Sequence, residues 1–290
     1  MSNRIHPTAT VDAGARLGED IEIGPYAVIE ADAEIGDGCT IAAHAVVKRH
    51  TRLGRGNRVY EHAVIGGEPQ DLRFRACASF VTIGDGNVIR EGVTIHRGSR
   101  AGGMTRIGDG CMLMATAHVA HDCELADGVI MANAAVLGGH VRVGERAFLS
   151  GLVGVHQFCR VGRLAMVASS ARIVQNCLPF VITEGHPARA RALNVVGLRR
   201  AGFDSAALLE LKRAFRLLRS GLPLAEILAQ MDAMPSPLAR EMAEFIRGCA
   251  RDPSPGLDPG SSPGRSPSTG SGRGFAHPIG RAARRAEPGE

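Results

Sequence analysis

The sequence predicts a left-handed parallel β-helix built of hexapeptide repeats, closed at one end by a small α-helical domain. Three observations predict it. An aliphatic side chain recurs every six residues; Gly, Asp-Gly or Asn follows many of these positions; and large aromatics are nearly absent, with no Trp, 2 Tyr and 9 Phe among 290 residues. Counting from Ile5 in steps of six gives 11 aliphatics without a miss, through Val11, Leu17, Ile23, Ile29, Ile35, Ile41, Val47, Leu53 and Val59 to Ile65. The pattern resumes at Ile83, Ile89 and Ile95, and again from Ile107 to Ile173, for 26 positions in all. A strict repeat of six excludes an amphipathic helix, whose apolar residues recur near 3.6. It fits a short strand plus a turn: the aliphatic points to the axis, and Gly or Asn supplies a corner with positive φ. Three such units close a coil of 18 residues, and coils stack at the ~4.8 Å strand spacing. Residues 5–178 then make about ten coils, a prism on the order of 45 Å long. An inward slot in a three-sided coil has room for Ile, Val or Leu and little more, which accounts for the missing aromatics.

Two interruptions keep the phase but lose the signature, so loops are expected near 67–80 and 97–105. Loops on one side of a solenoid commonly build its binding surface. After Ile173 the repeat stops. A short helix is expected over 194–202, and a second one capped by Asp204 or Ser205, with Leu208, Leu211, Phe215 and Leu218 at helical spacing and Gly221 closing it. Helices over 222–234 and 237–249 follow. From 251 onward, 7 of 40 residues are Pro and 8 are Gly, with only Leu257, Phe275 and Ile279 as large apolar side chains. Such a composition cannot bury enough surface to order itself. The expected division is 1–190 prism, 191–250 helical domain and 251–290 disordered tail.

Composition excludes several function classes. No run approaches the ~20 apolar residues of a membrane span, and the start MSNRIHPTAT lacks a signal-peptide apolar core. A cytoplasmic location is therefore expected, with no membrane span. The seven Cys at 39, 77, 111, 123, 159, 177 and 249 include no C-x-x-C and read as small buried residues, neither a disulfide frame nor a zinc knuckle. Residues 1–188 carry 18 basic and 19 acidic residues, whereas 189–250 carry 10 and 6, so the basic excess begins with the helical domain. With few aromatics for stacking and no recognition-helix motif, no nucleic acid is expected as a partner.

The repeat also places the histidines. Taken modulo 18, His121, His140 and His156 fall at 13, 14 and 12, on one prism corner in successive coils, with His118 three residues earlier. His96, at phase 6, falls about one face away and would meet that corner only across a neighbouring subunit. A His column offers two chemistries, metal ligation or a general base with polar positioning groups for acyl transfer. Asp122 directly follows His121 and can orient its imidazole. Gly138 and Gly139 directly precede His140, placing backbone N–H groups where an oxyanion would form. These neighbours favour acyl transfer. Cys123 reads as a filler rather than a nucleophile, Ser169 and Ser170 have no adjacent base, and direct attack on a thioester needs no protein nucleophile. A hexapeptide metalloenzyme of the carbonic anhydrase type and a purely structural β-helix are the rival readings.

Specific strings go further. Gln70-Asp71-Leu72, Val93-Thr94-Ile95-His96-Arg97-Gly98, Ala117-His118-Val119-Ala120-His121-Asp122-Cys123, Gly139-His140, Val155-His156-Gln157-Phe158-Cys159 and Asn194-Val195-Val196-Gly197-Leu198-Arg199-Arg200 resemble the UDP-N-acetylglucosamine O-acyltransferases that begin lipid A biosynthesis, over residues 4–250. The resemblance implies a homotrimer with sites between subunits, a 3-hydroxyacyl carrier-protein thioester as donor, a UDP-sugar acceptor, and no cofactor or metal. It implies His121 as general base, supported by Asp122, and Gly139 as oxyanion donor. Gln70, Asp71, Arg73, His96, His118, His140, His156 and Gln157 would position substrate, Asn194 and Arg200 would contact the nucleotide, and Ser169 would limit acyl-chain length. Three positions depart from the family pattern: Arg73 stands for Lys, Val196 for Glu and Ala201 for Arg, which implies altered nucleotide contacts. Transfer to oxygen or to an amine at sugar C3 stays open. Lys212, Arg213, Arg216 and Arg219 on one helix face would suit an acidic carrier protein.

Overall fold

The computed structural model describes residues 2–251, so the segment expected to be disordered lies outside the described residues from 252 onward. Twenty-six strands of two to four residues, from Arg4–Ile5 to Arg172–Ile173, wind into three parallel sheets, the first of which a later hairpin of two strands extends. Sheet 1, of 11 strands, begins Arg4–Ile5, Glu22–Ile23, Thr40–Ile41; sheet 2, of 9, begins Thr10–Val11, Val28–Ile29, Val46–Val47; sheet 3, of 8, begins Arg16–Leu17, Glu34–Ile35, Thr51–Leu53. The prism is the left-handed parallel β-helix the repeat predicts. Ladder register stacks each inward aliphatic on the next, Ile23 on Ile41, Val59 on Ile89 and Leu113 on Met131. These side chains are buried. Each contributes about 1.5–3 kcal/mol by leaving water, and truncation of one such as Ile41→Ala would cost about 2–5 kcal/mol because the coils above and below cannot collapse into the gap. Ile5 in the first coil is exposed for want of a rung beneath it.

The two interruptions have a simple geometry. Ordinary rungs are 18 residues apart, as in His118↔Val136, but Val64↔Thr94 are 30 apart and Thr94↔His118 are 24 apart. The extra residues leave the prism after Gly67 and after His96 and rejoin it at Phe80 and Met104. Both loops therefore spring from the corner between sheets 2 and 3.

The three faces differ outside. Sheet 3 presents Arg16, Glu34, Arg52, Thr82, Arg106, Glu124, Arg142 and Arg160, many of them in ladders of opposite charge such as Arg16–Glu34–Arg52. Sheet 2 presents Val28, Val46, Val64, Thr94, His118, Val136 and Gly154, and the upper half of sheet 1 presents Val88, Met112, Ile130, Phe148 and Met166.

Above Ile173 the chain forms an antiparallel hairpin, Val181–Gly185 with Ala188–Leu193, that extends sheet 1 and has no counterpart in the six-residue pattern. Four helices follow. The first, α1 (Val195–Arg200), is capped by Asn194 and the second, α2 (Ser205–Leu217), by Asp204, whose Oδ1 accepts from Ala207 N at 2.8 Å. The third and fourth are α3 (Leu224–Asp232) and α4 (Pro237–Arg251). Leu208, Leu211 and Phe215 of α2 pack with Phe180, Leu198, Met231, Met242 and Ile246 in a core of their own. The Arg163 guanidinium joins Glu241 of α4 through two hydrogen bonds of 2.8 and 2.7 Å, fastening the helices to the prism.

Candidate functional site

The corner between sheets 2 and 3 concentrates the polar chemistry. His118–Val119 lies in sheet 2 and Glu124–Leu125 in sheet 3, so the intervening turn projects His121 and Asp122 at the edge of the prism. Asp122, His140 and Phe158 occupy the corner positions of successive coils with φ of 57, 60 and 64°. His140 N donates to the His121 carbonyl at 3.0 Å and Phe158 N to the Gly139 carbonyl at 2.9 Å. The rings form a column: His121 and His140 meet edge-on at 5.1 Å, and Phe158 stacks on His140 at 4.6 Å. Sequence phase thus identifies the corner, while His156 lies two residues outside the column, exposed, its Nδ1 3.1 Å from the Gln157 carbonyl oxygen.

His121 is only 9% exposed. Its Nδ1 lies 2.8 Å from Asp122 Oδ2, which also accepts from Ser99 N at 3.0 Å, while Asp122 N donates to Thr105 Oγ1 at 2.8 Å. Burial pushes the Asp122 carboxyl up, but the hydrogen bonds from His121 and Ser99 outweigh it and hold the group below its usual range. An ionised carboxylate only accepts, so Nδ1 carries the hydrogen and Nε2 keeps its lone pair.

That nitrogen faces Gly139. A Cβ there would stand 2.4 Å from His121 Cε1 and 2.6 Å from Nε2, so only glycine lets the main chain pass. Gly138 N and His140 N donate to the carbonyls of Val155 and His121, whereas the Gly139 N–H between them makes no backbone hydrogen bond among the described residues. A base nitrogen and an unspent N–H are thereby side by side.

His96 requires a correction. It is not one face away: its ring meets the His118 ring edge-on at 4.8 Å within the same chain. Division by 18 misplaced it because the second loop adds six residues between Thr94 and His118. His96 is 8% exposed with Nδ1 buried and unpartnered, and burial, aided by His118 and His121, pushes its pKa down to about 4. The site therefore holds it neutral. His118, also depressed by burial and then by His121, has its Nδ1 2.7 Å from Thr94 Oγ1.

The first loop carries Gln70, Asp71 and Arg73. The Arg73 N–H bonds Asp71 Oδ1 at 2.9 Å and, with its guanidinium 3.3 Å away, holds the Asp71 carboxyl low, with the field of His121 adding to the effect. Asp71 thus stands over the His121 corner. Leu72 between them is 101% exposed. Ser169 sits elsewhere, at the corner between sheets 1 and 2, where its hydroxyl donates to the Gly151 carbonyl at 2.9 Å. Asn194 is spent on the fold, its Oδ1 accepting from Gly197 N and its Nδ2 donating to the Leu164 carbonyl, both at 3.0 Å. Arg200 is exposed on the last turn of α1, with Val196 exposed beside it.

The sequence did not single out Ser99, Thr105 or Thr94, the groups that hold Asp122 and His118. Ser99 lies in the second interruption and Thr94 pairs with His118 across the ladder, signals visible only once the loop lengths are known. Cys123 is fully buried, its thiol donating to the Gly138 carbonyl and pushed up to about 12 by burial, so it is no nucleophile. Five other cysteines are also buried; Cys77, in the loop, is not.

Comparison with known proteins places the chain in a family. The family model described as UDP-N-acetylglucosamine O-acyltransferase, domain 2, matches residues 177–253, and the six-repeat bacterial transferase hexapeptide model matches 14–49 and 104–139. The acyl-[acyl-carrier-protein]--UDP-N-acetylglucosamine O-acyltransferase of Alkalilimnicola ehrlichii is 51% identical over 252 residues, covering 86% of this chain and 98% of its own. The chain belongs to the UDP-N-acetylglucosamine O-acyltransferase family. The protein of the same name from Janthinobacterium is 46% identical over 85% of this chain and 97% of its own. The crystal structure of the UDP-N-acetylglucosamine acyltransferase of Bacteroides fragilis superposes with a TM-score of 0.82 at 37% identity, over 84% of this chain and 96% of that one. This family member is accordingly an acyltransferase. No helix among the described residues is long and apolar enough to cross a membrane.

Proposed function

We propose that the chain transfers a 3-hydroxyacyl group from the thioester of an acyl carrier protein to position 3 of UDP-N-acetylglucosamine or its 3-amino analogue, the first step of lipid A biosynthesis. The observation that carries the mechanism is the Asp122–His121–Gly139 constellation. His121 Nε2 takes the proton of the acceptor hydroxyl or amine as its oxygen or nitrogen attacks the thioester carbonyl. The Gly139 N–H stabilises the oxyanion of the tetrahedral intermediate. As that intermediate collapses, the C–S bond breaks and the His121 imidazolium returns the proton to the departing thiolate. Asp122 fixes the tautomer and supports the transient positive charge. Neutral His96, His118 and His140, with Gln70, Asp71, Arg73, His156 and Gln157 on the same corner and its loop, position the sugar nucleotide and acyl group.

The face chemistry supports a homotrimer in which sheet 2 of one copy packs on sheet 1 of the next, leaving the charged sheet 3 in water. His121 then opens onto a seam floored by Val136 and Gly154 and roofed by Ile130, Phe148 and Met166 of the neighbouring copy, a channel for the acyl chain. Ser169, at the inner end of that seam, limits chain length. Asn194 positions α1 rather than touching ligand, and Arg200 faces the nucleotide from a neighbouring copy. Lys212, Arg213 and Arg216 on α2 and Arg219 just past its end are all exposed and receive the acidic carrier protein. The natural units of this reading are the prism to about 190, the helical domain to about 250, and a tail outside the described residues.

A ladder of 3-hydroxyacyl carrier proteins assayed against UDP-N-acetylglucosamine and its 3-amino analogue tests this directly. Transfer to either acceptor is expected; transfer to neither overturns the proposal. The metalloenzyme reading rests on His121, Asp122 and His140, whose donor atoms lie within 4.8 Å of one another. His121 Nδ1 is already committed to Asp122, and one stoichiometric zinc per chain at that corner would be needed to revive it.

A further inference from the structure

The corner between sheets 1 and 2 is built differently from its two neighbours. Its left-handed positions are Tyr26, His44, His62, Gly92, Thr116, Ala134, Leu152 and Ser170, none of them charged. The corner between sheets 3 and 1 instead has Asp20, five glycines and Arg146 before ending on Leu164. In a single chain Tyr26 and Leu152 are 58% and 66% exposed, an unfavourable display unless something covers them. On the trimer reading above, sheets 1 and 2 both pack on other copies, and the edge those sheets share is the one turned to the symmetry axis. Three such corners then line the axis, which suits left-handed positions that carry no charged side chain.

At the lower end of this corner three rings stack. Tyr26 and His44 are 5.1 Å apart at 14°, and His44 and His62 are 5.0 Å apart at 7°. Histidine here holds φ of 59 and 62°, a conformation it tolerates better than most side chains. It is also unspent. His6, His118, His121 and His156 each have a ring nitrogen within hydrogen-bond distance of a partner, whereas the ring nitrogens of His44 and His62 have none among the described residues. An imidazole pair with free nitrogens, at a corner repeated three times about an axis, is the donor set of a His₃ metal site.

We propose that the trimer binds one divalent ion of the zinc, cobalt and nickel class on its axis, held by the His62 imidazoles of its three copies. The inference rests on the trimer reading but not on the reaction. Ligation needs Zn–N of about 2.0–2.1 Å, so an ion midway between rings 5.0 Å apart is out of reach of both layers and must sit in one. The His62 layer is favoured because Glu61 precedes His62 and supplies negative charge, where Ala43 precedes His44. His44 stacks on the ligand ring and holds its plane. The ion is structural, since His62 belongs to a different corner from His121.

The test is zinc titration of the chelator-treated full chain by calorimetry, with light scattering for mass. Expected is one-third of a zinc per chain with a trimeric mass, lost in His62→Gly, a substitution the corner geometry welcomes, and kept in His140→Gln. Transfer activity of His62→Gly should stay within twofold of the parent. A trimer that takes up no zinc overturns the site alone. One zinc per chain that survives His62→Gly but not His140→Gln also overturns it, placing the metal at the His121 corner instead. A monomeric mass overturns the trimer reading together with the site.

Discussion

The turn that carries Asp122, His140 and Phe158 and the turn that carries Gly38, Gly56, Gly86, Gly110 and Gly128 are the same piece of backbone, with φ between 57 and 67° at all eight positions. The prism asks only for a residue that tolerates that conformation, and glycine does so without the cost of about 1–2 kcal/mol that a side chain incurs there. Glycine fills the corner between sheets 3 and 1, where nothing is required but closure of the coil. Larger polar side chains at the corner between sheets 2 and 3 sacrifice stability for placement. The two insertions emerge at that corner too, and Ser99 of one of them locks Asp122. Scaffold and site are thus separable by corner.

The comparison breaks first at His121. His121→Ala should lower kcat by about 10³-fold, in the range removal of a general base produces, with oligomeric mass and melting temperature unchanged; appreciable turnover would sink the assignment. Gly139→Ala comes next. A methyl group 2.4 Å from the His121 ring must displace it, and steady-state kinetics should show a loss of about 10²-fold in kcat with little change in KM. Asp122→Asn should lower kcat as well, since the amide can still meet Nδ1 but supplies no charge; an unaffected rate would show that the carboxylate only shapes the turn.

A pH experiment reads the same corner through stability. His96 titrates at 6.5 when unfolded and at about 4 in the native site, so between those values the unfolded chain binds more protons. Denaturation midpoints should hold steady above pH 6.5 and fall as the pH drops from 6.5 toward 4, with His118 and His140 acting in the same direction. His96→Gln should flatten that slope; an unchanged slope refutes the neutral, buried histidine. The smallest effect is expected on the scaffold side. Gly128→Ala, at φ 66° and with Arg146 Cγ 3.1 Å from the new methyl, should cost about 1 kcal/mol of stability and leave kcat untouched.

The prism was legible because every sixth side chain must be small enough for the axis, a constraint written 26 times. The hairpin Val181–Gly185 and Ala188–Leu193 was not, since it carries no period of six. His121, Asp122 and Gly139 could be found because they are neighbours along the chain or one coil apart. His96 was misplaced and Ser99 and Thr94 were missed for a common reason. Their contacts cross or start in the second insertion, so a residue's phase tells nothing until the loop lengths have been subtracted. Thr105 is a different case: it lies one ordinary coil before Asp122, and no motif marked it. Asn194 shows a second limit: its string fits the nucleotide stretch, and only the structure reveals that its amide also caps α1 through Gly197 and bonds Leu164.

The insertion between Gly67 and Phe80 leaves the ladder at a one-residue register slip, Gly67 opposite His96, and re-enters it in regular register, Val81 opposite Thr51. Closing a longer loop costs little, about 0.6 kcal/mol for each doubling of its length. The prism therefore behaves as a rail on which this arm can be lengthened or trimmed as a cassette while the coils beyond it keep their stacking.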